Sequence, residues 1–265
     1  MTAESLLDQV IAAVREVAQT EVMPRFLRVG SSRKDDGTLF TEADVQTQRA
    51  LTELLPKIVP VPVLGEEMSE EEQETLWANH QDGLWVVDPI DGTTNFVHGL
   101  PYFAISVALM RQGRPVLGVI YNPVADEVFC AEVGEGAHMN GLRLPLKKHV
   151  PAMPDAIAGV EVKWLGGRLP MRLASVAPFG SQRNLGASTL DWCYLAAGRF
   201  DLYIHGGQRL WDYAAGSLIL LEAGGAIAGL FQDDYWSDHV WKRSVVAASN
   251  PVLFEQWRKW VRCNT

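Results

Sequence analysis

The sequence predicts a mixed fold, an α+β half followed by an α/β half, and three features of its order predict it. Apolar residues at helical spacing fill much of the stretch 5–56, five short β-rich runs follow between 61 and 132, and beyond 156 strand-like and helix-like stretches alternate. Segregated helices and strands give an α+β arrangement, whereas alternation gives a more parallel sheet packed between helices. The segment Val150-Pro151-Ala152-Met153-Pro154 is a composition break, dividing the chain into residues 1–150 and 151–265, two halves of one compact unit.

The elements follow in order. Leu6, Leu7, Val10, Ile11, Val14, Val17 and Ala18 recur at helical spacing, so a long first helix is expected over 5–28. Residues 30–37 read as a polar turn. Thr41 with Asp44 three residues on matches an N-cap and an acidic N3, opening a helix that ends near Pro56. Strands are expected around 61–64, 83–88, 103–110, 116–121 and 126–132, and Asn140-Gly141 marks a hairpin. In the second half, 156–163 and 174–179 read as strands flanking a Gly-Gly-Arg-Leu-Pro loop. Helices are expected at 187–197, 211–223 and 251–261, with strands at 200–205, 226–230 and 244–248.

A chain of 265 residues buries roughly three quarters of its extended surface, enough for a substantial core. Its net charge of −9 and pI near 5.2 argue against nucleic acid or a membrane surface as partner, since such binders carry a basic face. Cys130, Cys193 and Cys263 form no CxxC pair and are odd in number, which favours a reducing compartment. No signal-peptide pattern and no run of 18 apolar residues occurs. A soluble, cytoplasmic protein is expected.

The chemistry concentrates where Leu84 to Val87, a short apolar run, delivers Asp88-Pro89-Ile90-Asp91-Gly92-Thr93-Thr94-Asn95-Phe96. Open α/β sheets place ligands at such strand ends. Pro89 fixes its own φ and withholds a donor, so the chain is expected to turn and leave the Ile90 carbonyl facing inward. Asp91 then returns beside Asp88. Gly92 permits close approach of a ligand, and the amides of Gly92, Thr93 and Thr94 suit an anion at a helix start. Hard cations take carboxylate oxygens and phosphates take backbone N–H groups, so the segment reads as a metal and phosphate site. An Asp-Pro loop before a helix cap explains isolated pairs of this kind, but not all nine residues together.

Two more apolar runs deliver acids to chain turns: Val63-Leu64-Gly65-Glu66-Glu67 and Trp211-Asp212-Tyr213-Ala214-Ala215-Gly216. Glu66 and Glu67 also fit an acidic surface turn, because Glu70, Glu71, Glu72 and Glu74 follow. Asp212 also fits a helix N-terminal charge matched to the dipole. Jointly the three runs favour one convergent carboxylate site, in which acids crowd only if cations neutralise them or some are protonated. Oxygen-only ligation without a His or Cys cluster favours Mg2+ over zinc.

DPIDGTTNF, preceded by Gly-Glu-Glu and followed by WDYAAG and EAGG, resembles the inositol monophosphatase family of metal-dependent phosphomonoesterases. The likeness runs through Thr41-Glu42-Ala43-Asp44, Gly134-Glu135-Gly136-Ala137 with Asn140-Gly141, and Gly186-Ala187-Ser188. It implies a layered αβαβα sandwich with the site between the halves, a homodimer, and lithium-sensitive, Mg2+-dependent hydrolysis of a small phosphorylated substrate, inositol monophosphate or a related sugar or polyol phosphate. The histidinol-phosphate, dinucleotide-phosphate and phosphoadenosine-phosphate branches share these motifs and stand as alternatives. Mapped onto this chain, the family pattern implies one metal at Glu66, Asp88, the Ile90 carbonyl and Thr93, and a second between Asp88, Asp91 and Asp212. A third, weaker position leans on Glu66. Two such metals, roughly 3.5–4 Å apart, serve a single in-line displacement. Asp44, Thr93 and Glu66 take the catalytic roles, the first two polarising the attacking water. Gly92 and Thr93 hold the phosphate, and Asp91, Gly186, Ala187, Ser188 and His205 face the substrate. Thr41, Lys34 and Glu67 stand one step back.

Two departures bear on substrate. Relatives often carry a Lys about eleven residues before the acid matched to Asp44, whereas here Lys34 stands ten before it and Arg33 eleven. Inositol-hydrolysing relatives tend to carry Glu seven residues before the motif Asp, where this chain has His205. A neutral imidazole donates one hydrogen bond and accepts another, and a protonated one attracts a second anionic group, so His205 points away from bare inositol; an ordinary strand-end histidine is the structural alternative. A regulatory protein contacting the transcription machinery is the alternative of another class, and the full set of acids favours the enzyme. The nine Trp, four of them after residue 235, read as packing residues.

Overall fold

A computed structural model of the chain describes residues 5–28, 30–33 and 39–265. Lys34 lies outside them. Helix α1 spans Leu6–Val17, capped by the Ser5 hydroxyl, which accepts the Asp8 amide at 3.1 Å, and a wider π turn over Ala18–Val22 extends it. The expected polar turn contains strand β1, Ser31–Arg33, paired antiparallel with β2, Leu39–Thr41. Helix α2, Glu42–Ile58, opens on the expected Thr41–Asp44 capping box, and Pro56 lies within its last turn rather than ending it. Strand β3, Val63–Gly65, is followed by α3, Glu70–Ala78, capped by Ser69. The acidic run is thus the first turn of a helix, where carboxylates meet the positive end of the dipole.

Strand β4, Leu84–Asp91, leads through the short helix α4, Thr93–His98, to β5, Ala104–Arg111, β6, Arg114–Asn122, and β7, Glu127–Glu132. Strands β8, Gly136–Met139, and β9, Leu142–Arg143, complete a sheet in simple sequential order from β3 to β9. Asn140 and Gly141 join the last two with φ of 47° and 79°, the left-handed pair a two-residue hairpin demands.

The second half comprises β10, Ile157–Glu161, α5, Leu169–Val176, β11, Ser181–Arg183, α6, Ser188–Ala196, β12, Leu202–Gln208, α7, Leu210–Glu222, β13, Ala226–Ala228, β14, Arg243–Ala248, and α8, Pro251–Asn264. Its sheet order is β11-β10-β12-β14-β13, with β10 parallel to both neighbours and β14 antiparallel to both of its own. The strand expected at 174–179 is instead the end of α5 and the chain beyond it. Pro170 in the first turn is already set to helical φ, and Leu169 and Leu173, one turn apart, are both buried.

Three cores separate five layers. Helices α1 and α2 cover the outer face of the larger sheet, with Val14, Val17, Leu51 and Leu55 against Trp85, Val87 and Val107. Helices α6 and α7 fill the space between sheets, where Trp192, Leu195 and Ile219 meet Val86, Ala108 and Ile120 on one side and Tyr203 and Val245 on the other. Helices α5 and α8 cover the far face, with Leu173, Trp257 and Val261 against Leu202, Ile204 and Val246. Consecutive residues such as Val86 and Val87 enter different cores because side chains alternate across a strand. The result is the expected αβαβα sandwich.

The middle layer is tightly seated. A Cβ at Gly118 would lie 3.0 Å from the Cα and O of Ala215, and one at Gly216 would lie 2.5 Å from Cβ and 2.6 Å from Cγ of Trp192. Gly→Ala within a helix ordinarily stabilises by about 1 kcal/mol. At Gly216 the overlap reverses that sign, because overpacking a filled core costs about 1–3 kcal/mol. Gly216→Ala is expected to lower Tm, at about 2–4 °C per kcal/mol for a chain of this size. A circular-dichroism melt with a raised Tm would show that Trp192 gives way freely.

Candidate active site

Asp88 and Asp91 stand three residues apart on β4, a spacing that sends side chains to opposite faces of a regular strand. The ladder to β5 corrects this: Asp88 faces Ser106 and Asp91 faces Ala104, so three steps on β4 match two on β5. The extra residue is a bulge at Pro89-Ile90, where Pro89 has no N–H to lose. Val86 packs in the middle core while Ile90 packs in the outer one, so the face switches between them and both carboxylates return to the inner side. The turn expected at Pro89 is not formed; the strand continues through it.

Other elements bring their acids to this point. The Glu66 amide donates to the Val87 carbonyl at 3.3 Å, seating the loop after β3 beside Asp88. That loop is held by Gln73 Nε2, which donates to the carbonyls of Gly65 at 2.9 Å and of Glu66 and Met68 at 3.2 Å. Glu67 is tied through its amide to Gln48 Oε1 at 2.8 Å. Asp212 is the N3 residue of α7, its Oδ2 accepting the Arg209 amide at 2.8 Å. The helix-end reading of Asp212 is therefore correct, and the same helix end sits at the cluster. Asp44 Oδ2 accepts from the amide and hydroxyl of Thr41, both 2.7 Å, while its Oδ1 lies 3.2 Å from the Thr93 hydroxyl. That hydroxyl is also 3.0 Å from the Ile90 carbonyl, and its single proton serves one acceptor at a time.

Electrostatics set the character of the site. Asp88 is 1% exposed, and its Oδ1 has no hydrogen-bond partner. Burial pushes its pKa well above the usual carboxylate range, and the charges of Glu66, Asp91, Asp212 and Asp44 add to the shift. Asp91 is raised to about 6, first by burial and further by Glu66, against hydrogen bonds from Thr189 and Ser188. Burial, then Asp91 and Glu66, likewise raise Asp212. Among the described residues no group of three or more His, Cys, Asp or Glu side chains is drawn together closely enough to hold an ion unaided. The donors available are all oxygens, with one buried carboxylate oxygen unpartnered, and this set fits a hard divalent cation.

The wall opposite comes from the second half. Gly92 has φ of 88°, and a Cβ there would lie 3.0 Å from Ala187 Cβ and 3.1 Å from the Tyr102 carbonyl. The 186–188 loop thus presses directly on the phosphate-loop candidate. Ala187 is buried, so its methyl walls Gly92, and Ser188 contributes its amide to Asp91. Thr189 fixes Asp91 Oδ2 through its amide and hydroxyl, both at 2.6 Å. Asn95 Nδ2 donates to the carbonyls of Tyr102 and Leu185, each at 2.7 Å, stapling the halves together. Tyr102 in turn donates to buried Asp191 at 2.9 Å. Thr189, Tyr102 and Asp191 carry no motif signal, because their partners lie 89–98 residues away, whereas Asn95 was visible only as a member of DPIDGTTNF.

His205 sits where β12 also bulges, since three steps from His205 to Gln208 match two on β14. Its Nδ1 accepts the Gly207 amide at 3.1 Å, which assigns the proton to Nε2. Burial lowers its pKa to about 4, against an opposing effect from Glu161. The cationic reading of His205 is corrected accordingly: near neutral pH it is an uncharged donor.

Comparisons with known proteins give the family and the fold. A model of the inositol monophosphatase family matches residues 2–264. The inositol-1-monophosphatase of Mesorhizobium japonicum is 38% identical over 226 residues, covering 83% of this chain and 82% of that protein. The Nus factor SuhB of Pasteurella multocida is 35% identical over 249 residues, covering 88% and 90%. Among solved structures, the extragenic suppressor protein suhB of Bartonella henselae matches with a TM-score of 0.83 at 30% identity over 98% of this chain and 99% of that one. The IMPase of Thermotoga maritima matches with a TM-score of 0.81 at 30% identity over 96% of each. The chain belongs to the inositol monophosphatase family, enzymes that hydrolyse phosphate monoesters.

Proposed function

We propose that the protein is a Mg2+-dependent phosphatase acting on a small phosphate monoester, inositol monophosphate or a related sugar or polyol phosphate. The observation that carries this is Asp88, buried with an unpartnered oxygen and ringed by four other acids. Divalent cations held by Glu66, Asp88, the Ile90 carbonyl, Thr93, Asp91 and Asp212 would neutralise that cluster and supply positive charge to the phosphate and the attacking water.

The chain's own residues supply the rest. Thr41 locks one oxygen of Asp44, leaving the other beside the Thr93 hydroxyl, so Thr93 passes a proton towards Asp44 as it accepts one from water. Gly92, with no side chain, lets the phosphate approach the backbone opening α4. Asp91, held by Thr189, and the 186–188 loop orient the alcohol, with neutral His205 as a donor further along the wall. On this reading residues 1–150 supply most of the acids and residues 151–265 supply Asp212 and the substrate wall.

Staphylococcal IMPase-II, 25% identical, is solved with inositol monophosphate and with 2'AMP, which supports a small monoester. The LiCl-soaked inhibitory complex of staphylococcal inositol monophosphatase-1 supports lithium sensitivity here. A homodimer in the cytoplasm completes the reading; among the described residues no helix is long and apolar enough to cross a membrane. The second reading, a regulatory contact with the transcription machinery, rests on relatives named Nus factor. Phosphate release from a panel of monoesters, with and without Mg2+, separates the two.

Asp88→Asn is expected to abolish Mg2+-dependent release while holding or raising stability without the ion, because a buried charge disappears. Retained turnover overturns the assignment. Thr93→Ala is expected to lower kcat by roughly 10²–10⁴-fold with KM nearly unchanged. Unchanged kcat with raised KM would make Thr93 a phosphate-binding residue only. For His205, the folded-state pKa of about 4 lies below the ordinary 6.5, so between those values the unfolded chain binds a proton that the folded chain refuses. Stability is therefore lost as pH falls through that window, and His205→Gln should lose less of it than wild type in urea melts from pH 7 to pH 5. Parallel losses in the two proteins would contradict the burial of the imidazole.

A further inference from the structure

Asp212 stands in the first turn of α7, so whatever fixes that turn fixes the acid. The next residue, Tyr213, ties the turn to the rest of the protein. Its ring is fully buried, and its hydroxyl donates to the Val240 carbonyl at 3.1 Å. Val240 lies in the connection from β13 to β14, residues 229–242, which also carries Tyr235, Trp236 and Trp241. Trp241 reaches the acids from another side. Its ring lies 6.4 Å from that of Trp211, next to Asp212, and 6.3 Å from that of Trp77 on α3, beyond the Glu66 loop.

Arg243, the first residue of β14, closes this connection. It is 4% exposed, and its Nε and Nη1 have no hydrogen-bond partner. A guanidinium taken out of water is costly unless other groups replace its hydration. Here aromatic faces replace it. Cζ lies 4.6 Å from the ring centroid of Tyr213, 5.0 Å from that of Tyr235 and 5.2 Å from that of Trp236. The three rings also meet one another edge-on, with centroids 5.3–6.2 Å apart. Nη2 donates to the Asp238 carbonyl at 2.9 Å and to that of Trp236 at 3.4 Å, which draws the connection around the same side chain. Met or Leu would fill this space with no charge to desolvate. A guanidinium does what they cannot: cation–π attraction grows as water is removed, and a planar group facing three rings and two carbonyls favours one arrangement.

We propose that Arg243 is a positioning residue for Asp212: gripped by Tyr213, Tyr235 and Trp236, it fixes the first turn of α7 and with it the point at which Asp212 meets a divalent cation. Arg243 acts through Tyr213 and touches neither ion nor substrate. The proposal rests on the metal-dependent reading above and adds to it a residue that lies outside every motif of the sequence. Residues that orient a metal's ligands without binding it change metal affinity or activity by roughly 10–100-fold when lost. The loss therefore falls on Mg2+ rather than on the phosphate ester.

The test is Mg2+ titration of wild type, Arg243→Met, Arg243→Lys and Leu173→Ala, read as phosphate release and, without substrate, as the rise in Tm. Leu173 packs in the far core, so its truncation lowers stability away from the site. Arg243→Met is expected to need roughly 10–100-fold more Mg2+ for half-maximal release and for an equal rise in Tm, with kcat and ester KM recovered at saturating Mg2+. Arg243→Lys keeps a cation among the rings but not the planar fork, so its shift should be smaller. Leu173→Ala should lower the starting Tm and leave the Mg2+ midpoint where it is. A wild-type midpoint in Arg243→Met, no recovery in Arg243→Lys, an equal shift in Leu173→Ala, or a kcat lost at every Mg2+ concentration would overturn the proposal and leave the phosphatase reading standing. Should Arg243→Met fail to fold, Tyr213→Leu, which removes the ring joining Arg243 to α7, carries the same expectation. A wild type indifferent to Mg2+ in both readouts would overturn the metal-dependent reading as well.

Discussion

Everything at the centre of this molecule depends on bringing five acids to one cleft around the buried Asp88. Glu66, Asp88, Asp91, Asp212 and Asp44 each raise the cost of ionising Asp88 or are raised beside it. Left alone, such a group either takes up protons or spreads apart. The chain holds it in place by anchoring one oxygen of each of three acids: Asp44 to Thr41, Asp91 to Thr189 and Asp212 to the Arg209 amide. Helix ends do two of these jobs, which is why the capping and functional readings of Asp44 and Asp212 do not compete. A capping carboxylate uses one oxygen at the backbone and keeps the other for the cleft.

The same site needs two irregular strands. A bulge in β4 brings Asp88 and Asp91 to one face, and a second bulge in β12 places Gly206 and Gly207 beneath the Trp164 loop. An extra residue re-aims side chains without breaking the sheet, so the layers on either side stay packed while the edge changes direction. The middle layer makes this rigid. With α7 seated against Gly118 and Trp192 wedged at Gly216, Asp212 has little freedom to leave the cleft. The halves are joined at the site itself by Asn95, whose two 2.7 Å bonds reach Tyr102 and Leu185.

Several tryptophans that read as packing residues divide on closer inspection. Trp85, Trp192 and Trp257 are fully buried core. Trp77 and Trp211 meet across Trp241, bridging the helix after the Glu66 loop to the helix that carries Asp212. Trp164 alone has half its surface in solvent. Composition treats all nine alike; only the seating of each ring separates core from bridge from exposed surface.

By itself the sequence determined an α+β half followed by an α/β half, the three acid-delivering turns and the motifs that carry the family resemblance, from which the layered sandwich followed, because apolar periodicity, caps and local motifs are written in neighbouring residues. The Asn140-Gly141 hairpin and the Thr41–Asp44 cap were legible for the same reason. The helix at Leu169–Val176 was not, since its opening Gly-Gly-Arg-Leu-Pro resembles a loop until Leu169 and Leu173 find a core to face. Nor was the bulge that aligns Asp88 with Asp91, which exists only as a register against β5. The charge of His205 awaited the burial that removes its proton, and the contacts of Thr189 and Asn95 awaited the meeting of distant segments. Tertiary structure alone decided these, because register, desolvation and long-range contact are properties of packed surfaces rather than of any stretch of chain.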